Sequence, residues 1–396
     1  MRILTFTTLF PNAARPTFGV FVENRLRHLV ASGAVSAHVV APVPWFPFTS
    51  PRFGDYAAFA RAPKTEVRHG LRVDHPRYPL IPKIGMTLTP WLLYAALRPV
   101  LARLARRGDG FDLIDAHYFY PDGVAAVMLA RALDKPVTIT ARGTDLNLIP
   151  RYAAPRRMIK EAAARADGLI TVCQALKYTL GELGVAPERV TVLRNGVDLE
   201  IFHPPRDRAA LRAELGLAGP SLFSAGYLVT RKAHHLTIAA LAELPGVRFL
   251  LAGTGPEEGA LRQLARERGV ADRVDFLGQI PHDQLHRYYG AADAFVLASS
   301  REGWANVLLE SMACGTPVVA SNVWGAPEIV TGPEAGVLMA ERTPTGVAEG
   351  VRRLLAAPCD RAATRRYAEG FSWDETTAGQ LDLFHSILEC RRGAVG

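Results

Sequence analysis

The sequence predicts an α/β protein built from two doubly wound domains, each a parallel sheet with helices on both faces. Three observations support this prediction. Short apolar strand-like runs alternate with helix-like runs, as RILTFT at 2–7 is followed by a helical pattern at 20–31. The length of 396 residues is sufficient for two separate cores. Loops containing glycine follow several strands, at the edge where open α/β sheets bind ligands.

Composition is typical of soluble globular proteins, with 49% hydrophobic and 21% charged residues. The four cysteines are scattered without paired spacing, which predicts reduced thiols and a cytoplasmic location rather than a disulfide framework or a zinc site. The N-terminal apolar run lacks a signal-peptide pattern, and no stretch reaches the roughly 18 apolar residues of a membrane span.

The net charge of +8 is unevenly distributed. Residues 1–195 hold 26 Lys and Arg against 14 Asp and Glu, a balance of +12, whereas the remainder holds 20 against 24, a balance of −4. This asymmetry suggests that the first domain meets an anionic surface. Membrane lipid and nucleic acid are the two candidates.

The stretch SSREGWANVLLESMACGTPVVAS at 299–321 carries the clearest chemical signal. It contains two acids, Glu302 and Glu310, eight positions apart. We expect Glu302 to lie in a loop and Glu310 in a helix that begins near Asn306 as its cap and ends at Gly315.

The first amides of that helix would form a positively charged end that suits a phosphate. One carboxylate then precedes the anion site and another follows it. A nucleotide diphosphate-sugar has matching parts, because sugar hydroxyls lie on one side of its diphosphate and ribose hydroxyls on the other. In this stretch we expect Glu302 to be catalytic, and the expected donor-binding residues are Gly303, Asn306, Val307 and Glu310.

The same stretch closely resembles the donor-site signature of the family 4 glycosyltransferases: Glu, seven residues, Glu, then a small-residue run ending Cys-Gly-Thr-Pro-Val-Val-Ala. The resemblance covers nearly the whole chain. It implies the GT-B arrangement, two Rossmann-like domains facing across a cleft, and a retaining hexosyltransferase with a donor such as a UDP- or GDP-sugar and no cofactor. The expected domains are an acceptor-side domain at 1–198 with a crossover helix at about 375–396, and a donor-binding domain at 199–374.

In the first domain, Gly19 follows a strand and precedes a helix, a phosphate-compatible turn. In similar proteins the matching glycine loop faces the donor diphosphate. His117 lies at the carboxyl end of a strand, where it is either a structural or a catalytic residue. The strand at 136–141 leads to Arg142 and Asp145, which are further catalytic candidates. Many relatives have a histidine at the position of Arg142, so we expect this arginine to stabilise charge.

In the second domain, Arg231 and Lys232 follow a strand and precede a helix. They are either solvated loop cations or a clamp for the diphosphate, and the nearby acid pair favours the clamp. Relatives hold the nucleobase through backbone groups near Ile280. The chain has no Asp-x-Asp motif and no His/Cys cluster with metal-ligand spacing, so we expect metal-independent transfer, with positive groups stabilising the leaving diphosphate.

The apolar stretch at 84–104, with Trp91 and Tyr94 and followed by Arg106 and Arg107, predicts either a helix covering the sheet or a helix at a membrane interface. We expect a peripheral protein at the inner face of the cell membrane. Its acceptor would be a growing glycan or a polyprenyl-linked sugar.

The segments FGVFVENR and TARGTDLN look like those of bacterial exopolysaccharide or teichuronic-acid-type enzymes. A nucleotide-sugar epimerase or a sugar phosphorylase could share the architecture. An NAD-dependent oxidoreductase should show a complete G-x-G-x-x-G, which this chain lacks. A basic, non-catalytic membrane- or nucleic-acid-binding module would explain the charge of the first half but not the acid pair. We therefore expect no nucleic-acid partner.

Overall fold

The computed structural model describes residues 1–81, 85–106 and 110–393, and the chain forms two compact units. The first unit consists of Met1–Arg194 with Asp374–Gly396, and the second of Asn195–Trp373. Two residues of the proposed membrane-interface stretch, Ile84 and Arg107, lie outside the described residues.

The described strands of the first unit form an eight-stranded sheet and a separate two-stranded pair. The strands are β1 (Arg2–Phe6), β2 (Ser36–Val40), β3 (Val43–Pro44), β4 (Thr65–Arg68), β5 (Leu71–Asp74), β6 (Arg77–Tyr78), β7 (Leu113–His117), β8 (Val137–Ala141), β9 (Gly168–Thr171) and β10 (Val190–Val192). The large sheet has the order β10-β9-β8-β7-β1-β2-β5-β4 and is parallel except for the β4–β5 pair, whereas β3 pairs with β6. The strand order reverses between β1 and β7.

Helices cover this sheet, and the last of them comes from the far end of the chain. They are α1 (Val20–Ala31), α2 (Asp55–Arg61), α3 (Thr89–Arg106), α4 (Val124–Leu133), α5 (Thr144–Asn147), α6 (Ala153–Arg165) and α7 (Gln174–Glu182), with the C-terminal helix Trp373–Gly393. In α3, Leu93, Leu97 and Leu101 recur every four residues and are fully buried, so much of the apolar stretch belongs to the core.

The C-terminal helix packs closely on the first unit. Phe384 and Ile387 belong to the same apolar cluster as Ile3 of β1. Gly168 of β9 lets this contact form, because a Cβ there would lie 2.9 Å from the Ile387 side chain. The close approach therefore depends on the absence of a side chain at Gly168.

The second unit has one parallel sheet among the described residues. Its strands are β11 (Ser221–Ala225), β12 (Arg248–Ala252), β13 (Val274–Gly278), β14 (Ala294–Leu297), β15 (Val318–Ser321) and β16 (Gly336–Met339). Their order, β13-β12-β11-β14-β15-β16, reverses between β11 and β14, as in a doubly wound dinucleotide-binding sheet. The helices of this unit are α8 (Arg208–Glu214), α9 (His234–Ala240), α10 (Glu258–Glu267), α11 (Leu285–Ala291), α12 (Asn306–Ala313), α13 (Ala326–Ile329), α14 (Pro344–Ala356) and α15 (Arg361–Glu369). The C-terminal helix of the first unit, α16, follows them in the chain.

The end of α12 explains the Cys-Gly-Thr-Pro sequence. Gly315 has φ +75°, its amide donates to Met312 O at 2.8 Å, and the Thr316 amide donates to Ser311 O at 3.0 Å. These two bonds form a Schellman motif, which favours glycine at the left-handed position. The predicted helix stop at Gly315 is present in the structure.

Candidate active site

The sheet topology of the second unit brings Arg231, Lys232 and Glu302 together. The chain leaving β11 leads to the two cations, and the chain leaving the neighbouring strand β14 leads to the acid. The two loops are joined by a hydrogen bond from the Ser300 amide to Arg231 O at 2.9 Å. All three side chains therefore lie at the carboxyl end of the sheet, where its strand order reverses.

Glu302 holds both cations. Its Oε1 is 2.7 Å from Lys232 Nζ and 3.3 Å from Arg231 Nη1, and the carboxyl side chain is only 10% exposed. Burial alone would raise the pKa of Glu302, but the charges of Lys232 and Arg231 and the hydrogen bond from Lys232 hold this pKa below its usual value. Glu302 is thus a buried carboxylate that stays charged.

Glu310 has a different set of neighbours. It lies in α12 and is buried, with Oε2 accepting from Tyr289 OH at 2.9 Å and Oε1 3.1 Å from His282 Nε2. Burial would lower the pKa of His282, but Glu310 outweighs it and raises this pKa. The two partners fix the orientation of the Glu310 carboxylate.

The start of α12 differs from the prediction. The helix begins at Asn306, but Ala305 occupies the cap position and no side chain caps it. Asn306 Oδ1 instead accepts from Asn195 Nδ2 at 3.2 Å. The amides of Asn306 and Leu308 donate to Trp304 O and Ala305 O, so the expected row of open amides is only partly available for an anion.

Three other predicted donor-site residues lie in the turn before α12, in α12 itself and in the loop after β13. Gly303 is buried in the turn before α12, and Val307 is half-buried in the first turn of that helix. Ile280 is half-buried in the loop after β13, next to Gly278, whose carbonyl accepts from the Gly253 amide at 2.7 Å. The nucleobase role of this loop remains a prediction.

In the first unit, both ring nitrogens of His117 are bonded to the protein. Its Nε2 is 3.0 Å from Asp115 Oδ2, and its Nδ1 faces Arg142 Nη2. Burial, opposed by Asp115 and reinforced by Arg142, lowers the pKa of His117 to about 4. The ring is therefore neutral at pH 7, and its contacts place the proton on Nε2, so that Nδ1 accepts from the guanidinium.

Asp115 continues this buried chain of hydrogen bonds. Its Oδ1 accepts from Thr138 Oγ1 at 3.0 Å and its Oδ2 from Gln380 Nε2 at 3.1 Å. Gln380 Oε1 in turn accepts from Arg25 Nε at 2.8 Å. Residues from β7, α1 and the C-terminal helix together hold His117, and through it Arg142.

Asp145 is completely buried and bonded to backbone amides. Its carboxylate oxygens accept from Phe119 N and Gly143 N, both at 2.7 Å, and from Arg142 N at 3.1 Å. Burial raises the pKa of Asp145 despite these amides. This arrangement is typical of a carboxylate that shapes a loop, and the catalytic role of Asp145 remains a prediction.

Gly19 occupies the cap position of α1 with φ +75°. A Cβ there would lie 2.5 Å from the carbonyl carbon of Leu9. Glycine is thus required by the close packing of the 9–19 loop on itself, and a phosphate-binding role for Gly19 remains a prediction.

Sequence reasoning missed Asp122, which lies where the strand order of the first unit reverses. This buried carboxylate follows β7 and accepts from the Thr8 amide at 2.6 Å and from Thr8 Oγ1 at 3.0 Å, just beyond β1. Burial raises its pKa to about 7 although the threonine bonds oppose the shift. Its position after a strand that carries His117 was the available signal.

Sequence reasoning also missed Asp115, His282 and Tyr289. Asp115 lies two residues before His117 on the same face of β7, a period-2 pattern that could have identified the pair. His282 and Tyr289 lie 28 and 21 residues from Glu310, and no local pattern connects them to it.

Comparisons with known proteins agree with this geometry. The family model "Glycosyltransferase Family 4" matches residues 19–201, and the model "Glycosyl transferases group 1" matches residues 207–371. D-inositol 3-phosphate glycosyltransferase 1 of Catenulispora acidiphila is 31% identical over 320 residues, which cover 74% of this chain and 76% of the relative. The D-inositol 3-phosphate glycosyltransferase of Acidothermus cellulolyticus is 35% identical over 335 residues, which cover 77% of this chain and 74% of the relative.

The chain belongs to glycosyltransferase family 4. The prediction that this protein is a glycosyltransferase is confirmed.

Solved structures show the fold of this glycosyltransferase. Sucrose-phosphate synthase from Thermosynechococcus elongatus superimposes with a TM-score of 0.79 at 22% identity, covering 98% of this chain and 99% of that one. Anabaena Alr3699/HepE in complex with UDP-glucose gives 0.73 at 20% identity, covering 99% of each chain. The predicted fold class, two doubly wound Rossmann-like domains of the GT-B class, is confirmed.

The described residues of the glycosyltransferase contain neither a metal-binding cluster nor a membrane-spanning helix. No group of three or more His, Cys, Asp or Glu side chains there is arranged to hold a metal ion. No helix within the described ranges is long and apolar enough to cross a membrane.

Proposed function

We propose that this glycosyltransferase moves a hexosyl group, with retention of configuration and without a metal, from a nucleotide-sugar donor to a growing glycan or lipid-linked acceptor in bacterial cell-surface polysaccharide synthesis. The observation that carries the proposal is the cluster of Glu302 with Lys232 and Arg231. Two cations suit a diphosphate, and a charged carboxylate suits sugar hydroxyls. Anabaena HepE, similar in fold, was solved with UDP and with UDP-glucose, which makes a uridine donor the first to test.

The ion pairs suggest how the cluster would work. Without donor, Glu302 neutralises Lys232 and Arg231, so an incoming diphosphate competes with the carboxylate for the same two cations. Once they bind the diphosphate, Glu302 is free to accept hydrogen bonds from the sugar. As the bond to the sugar breaks, negative charge grows on the leaving diphosphate, and Lys232 and Arg231 stabilise it.

In the first unit we assign the charged role to Arg142 rather than to His117. Both ring nitrogens of His117 are engaged, one by Asp115 and the other by Arg142, which argues against a general base. We therefore propose that His117 is a positioning residue for the guanidinium and that Asp145 shapes the loop that carries it.

Donor specificity can be tested by thermal unfolding with UDP-, GDP-, ADP- and dTDP-sugars. A ligand at about a hundred times its dissociation constant adds roughly 2.7 kcal/mol of stability. We expect one nucleotide class to stabilise the protein, transfer to continue in EDTA, and NMR of the product to show the anomeric configuration of the donor. Stabilisation by none of the four donors would contradict the proposal.

The acceptor has a second candidate class. The two relatives compared above are named for D-inositol 3-phosphate, a soluble phosphorylated cyclitol. Incubation of the identified donor with myo-inositol phosphate or with a polyprenyl diphosphate-sugar in vesicles separates this class from the lipid-linked one. Product from the soluble acceptor alone would replace the polysaccharide role.

We also propose that the first unit binds the inner face of the cell membrane through the Met86–Trp91 segment. Met86, Leu88 and Trp91 are 41%, 48% and 55% exposed at the start of α3, while Tyr94 is half-buried. Arg98, Arg103 and Arg106 are exposed on the same helix. Each basic residue near an anionic leaflet contributes about 1 kcal/mol, which favours anionic lipid as the occupant.

Liposome sedimentation tests this membrane proposal. We expect binding to vesicles that contain phosphatidylglycerol, weakening with salt because screening shortens the reach of the charges. Trp91→Ser should reduce binding, whereas Tyr178→Ser, a change at an exposed aromatic residue of α7, should not. Equal loss in both variants, or wild-type protein that stays in the supernatant at low salt, would contradict membrane binding.

A further inference from the structure

The first unit contains a cavity of about 220 Å³, here called the Arg15 cavity, that no part of the proposed donor site uses. Its lining includes Thr8, Phe10, Arg15, Phe18, Phe59 and Tyr78. Thr8 follows β1 and Tyr78 ends β6, so the cavity lies beside the carboxyl ends of parallel strands. This edge is where open α/β sheets bind ligands.

The Arg15 cavity carries a positive charge because the Arg15 side chain lines it. The guanidinium lies 4.0 Å from the centre of the Phe18 ring and 5.5 Å from that of Phe59. Within the described ranges no carboxylate pairs with it and it donates no hydrogen bond, although the residue is half-buried. An arginine held on aromatic faces with its donors unused is prepared to bind an anion, and the planar guanidinium matches phosphate well.

The other polar groups that line the cavity divide into occupied and open ones. Both ring nitrogens of His75 are engaged, by Ala41 O and by Glu66. Asn12 Oδ1 accepts from the amides of Ala14 and Arg15 and so shapes the loop. The Thr8 hydroxyl points its hydrogen at the Asp122 carboxylate, 3.0 Å away, which leaves its oxygen able to accept from a ligand hydroxyl.

Size and lining restrict the ligand further. A water molecule takes about 30 Å³ of liquid, so the cavity holds the volume of about seven waters. This is below the roughly 300–1,000 Å³ of pockets for drug-sized ligands and suits one small ring rather than an oligosaccharide. Phe10, Phe18 and Phe59 make part of the lining apolar, which suits the C–H groups of such a ring, and Thr8 suits its hydroxyls.

We propose that the Arg15 cavity binds the acceptor as a single phosphorylated polyol ring, hexose or cyclitol, with the ring against the phenylalanines and the phosphate on Arg15. This proposal rests on the proposed function, because it assigns the ring to the acceptor of the same transferase. The phosphate can belong to a soluble sugar or cyclitol phosphate, or it can link the ring to a polyprenyl lipid. Both sources present the same ring and the same anion to the cavity.

Calorimetric titration of the full chain tests binding without chemistry. The probes are myo-inositol 1-phosphate, glucose 6-phosphate, their unphosphorylated forms, inorganic phosphate and a polyprenyl phosphate-glucose in detergent. We expect a phosphorylated ring, soluble or lipid-linked, to bind at least tenfold more tightly than the bare ring and than phosphate alone. If inorganic phosphate binds as tightly as the phosphorylated rings, the cavity does not recognise the ring. If no phosphorylated ring binds, the proposal is wrong.

The chain offers a matched control for the arginine. Arg52 also lies over a phenylalanine, 4.8 Å from the centre of the Phe53 ring, but it does not line the cavity. Arg15→Gln should weaken binding of the phosphorylated ring about 10- to 100-fold, the scale for hydrogen bonds to a charged group, whereas Arg52→Gln should leave it unchanged. Unchanged binding in Arg15→Gln, with its unfolding temperature intact, would contradict the assignment.

Titration of UDP into the same preparations separates this inference from the donor assignment. UDP should bind wild type and Arg15→Gln equally. If UDP binds and no phosphorylated ring does, the cavity assignment is wrong while the donor site stands. If the rings bind through Arg15 and no nucleotide does, the donor assignment is wrong, and so is the acceptor role given to the ring.

Discussion

Each unit places a buried carboxylate where its strand order reverses, but the two carboxylates have opposite surroundings. Glu302 of the second unit faces Lys232 and Arg231, which keep its pKa low despite burial. Among the described residues, Asp122 of the first unit accepts from uncharged groups of Thr7 and Thr8, and burial raises its pKa to about 7. The same edge of the same kind of sheet can therefore hold an acid that is ionised at neutral pH or one that titrates near pH 7, depending on which residues the neighbouring strand supplies.

The largest expected effect comes from removing the cation that makes Glu302 different. Lys232→Met should lower kcat/KM for the donor about 10- to 150-fold, the scale for losing a hydrogen bond to a charged group. It should also lower the free energy of unfolding by about 3 kcal/mol, because a buried charge loses its partner. Steady-state kinetics and urea unfolding measure both losses. Lys177→Met, which removes a lysine that donates to Val190 O, should change neither kcat/KM nor the sugar specificity.

The expected loss of stability means that Lys232 and Arg231 are more than a clamp for the diphosphate in a solvated loop. A lysine in a solvated loop could be replaced without effect on folding, but Lys232 neutralises a carboxyl side chain that is 10% exposed. If Lys232→Met and Lys232→Arg turn over donor equally well, the cation does not act on the diphosphate.

The next largest effect separates the two acids of the 299–321 stretch. Glu302→Gln should lower kcat by about tenfold or more but should bind UDP at least as tightly as wild type, because the carboxylate no longer competes for Lys232 and Arg231. Glu310→Gln should instead weaken UDP binding about tenfold, since the buried acid beside His282 and Tyr289 is expected to hold the ribose. Equal weakening of UDP binding in both variants would argue against divided roles.

The pH dependence of stability should show the contrast between Asp122 and Glu302. Because the pKa of folded Asp122 is raised from 3.8 to about 7, the unfolded chain releases this proton first, and the contribution of Asp122 to stability should fall as pH rises from about 4 to 7. The lowered pKa of His117 acts in the opposite direction over part of this range, so the two contributions must be separated. The full window is worth up to about 4 kcal/mol. Because the pKa of folded Glu302 is lowered, its contribution is present above pH 4.5 and is lost on further acidification.

Urea unfolding between pH 4 and 8 measures these slopes. The difference in stability between wild type and Asp122→Asn isolates the Asp122 contribution and should decrease between pH 4 and 7, whereas the difference between wild type and Glu302→Gln should not decrease over that range. A difference between wild type and Asp122→Asn that stays constant from pH 4 to 8 would mean that Asp122 is ionised throughout.

The smallest expected effect comes from replacing one glycine of each unit, Gly315 or Gly19, with alanine. Gly315 and Gly19 both have φ +75°, so alanine at either position costs about 1–2 kcal/mol for the left-handed backbone. At Gly315 the added Cβ would lie 3.0 Å from Arg361 O, whereas at Gly19 it would lie 2.5 Å from the Leu9 carbonyl carbon. Gly19→Ala should therefore lower the unfolding temperature more than Gly315→Ala, and the reverse order would contradict the close packing of the 9–19 loop.

The second unit was the more predictable of the two. Arg231 and Lys232 lie in the segment after β11, and Glu302 lies in the loop after the neighbouring parallel strand β14, so local sequence already implied that they converge. The stop of α12 at Gly315 was equally local. The cap of α12 was not predictable from local sequence. Asn306 is a good cap residue, but its side chain instead accepts a hydrogen bond from Asn195, more than a hundred positions away in the chain.

The first unit was less predictable because its important contacts are made between distant segments. Thr8 and Asp122 are 114 residues apart, and no local sequence pattern connects them. The apolar stretch before Arg107 was ambiguous for another reason. A helix that packs Leu93, Leu97 and Leu101 inward and exposes Trp91 satisfies both the core and the interface interpretation of its composition.

The contact of Gln380 with Asp115 has a consequence for how the protein is made. The two residues are 265 positions apart, and Gln380 also bonds Arg25, so two buried charged groups near the N-terminus remain without this partner until the C-terminal helix emerges from the ribosome. At about 5–20 residues per second, the interval between residue 194 and Gln380 lasts roughly 10–40 s. During that time the sheet of the first unit lacks the C-terminal helix whose Phe384 and Ile387 pack on its core, so part of its apolar surface stays exposed. In a growing cell this interval is when the nascent chain is most exposed to aggregation, and chaperone binding there would act on the first unit.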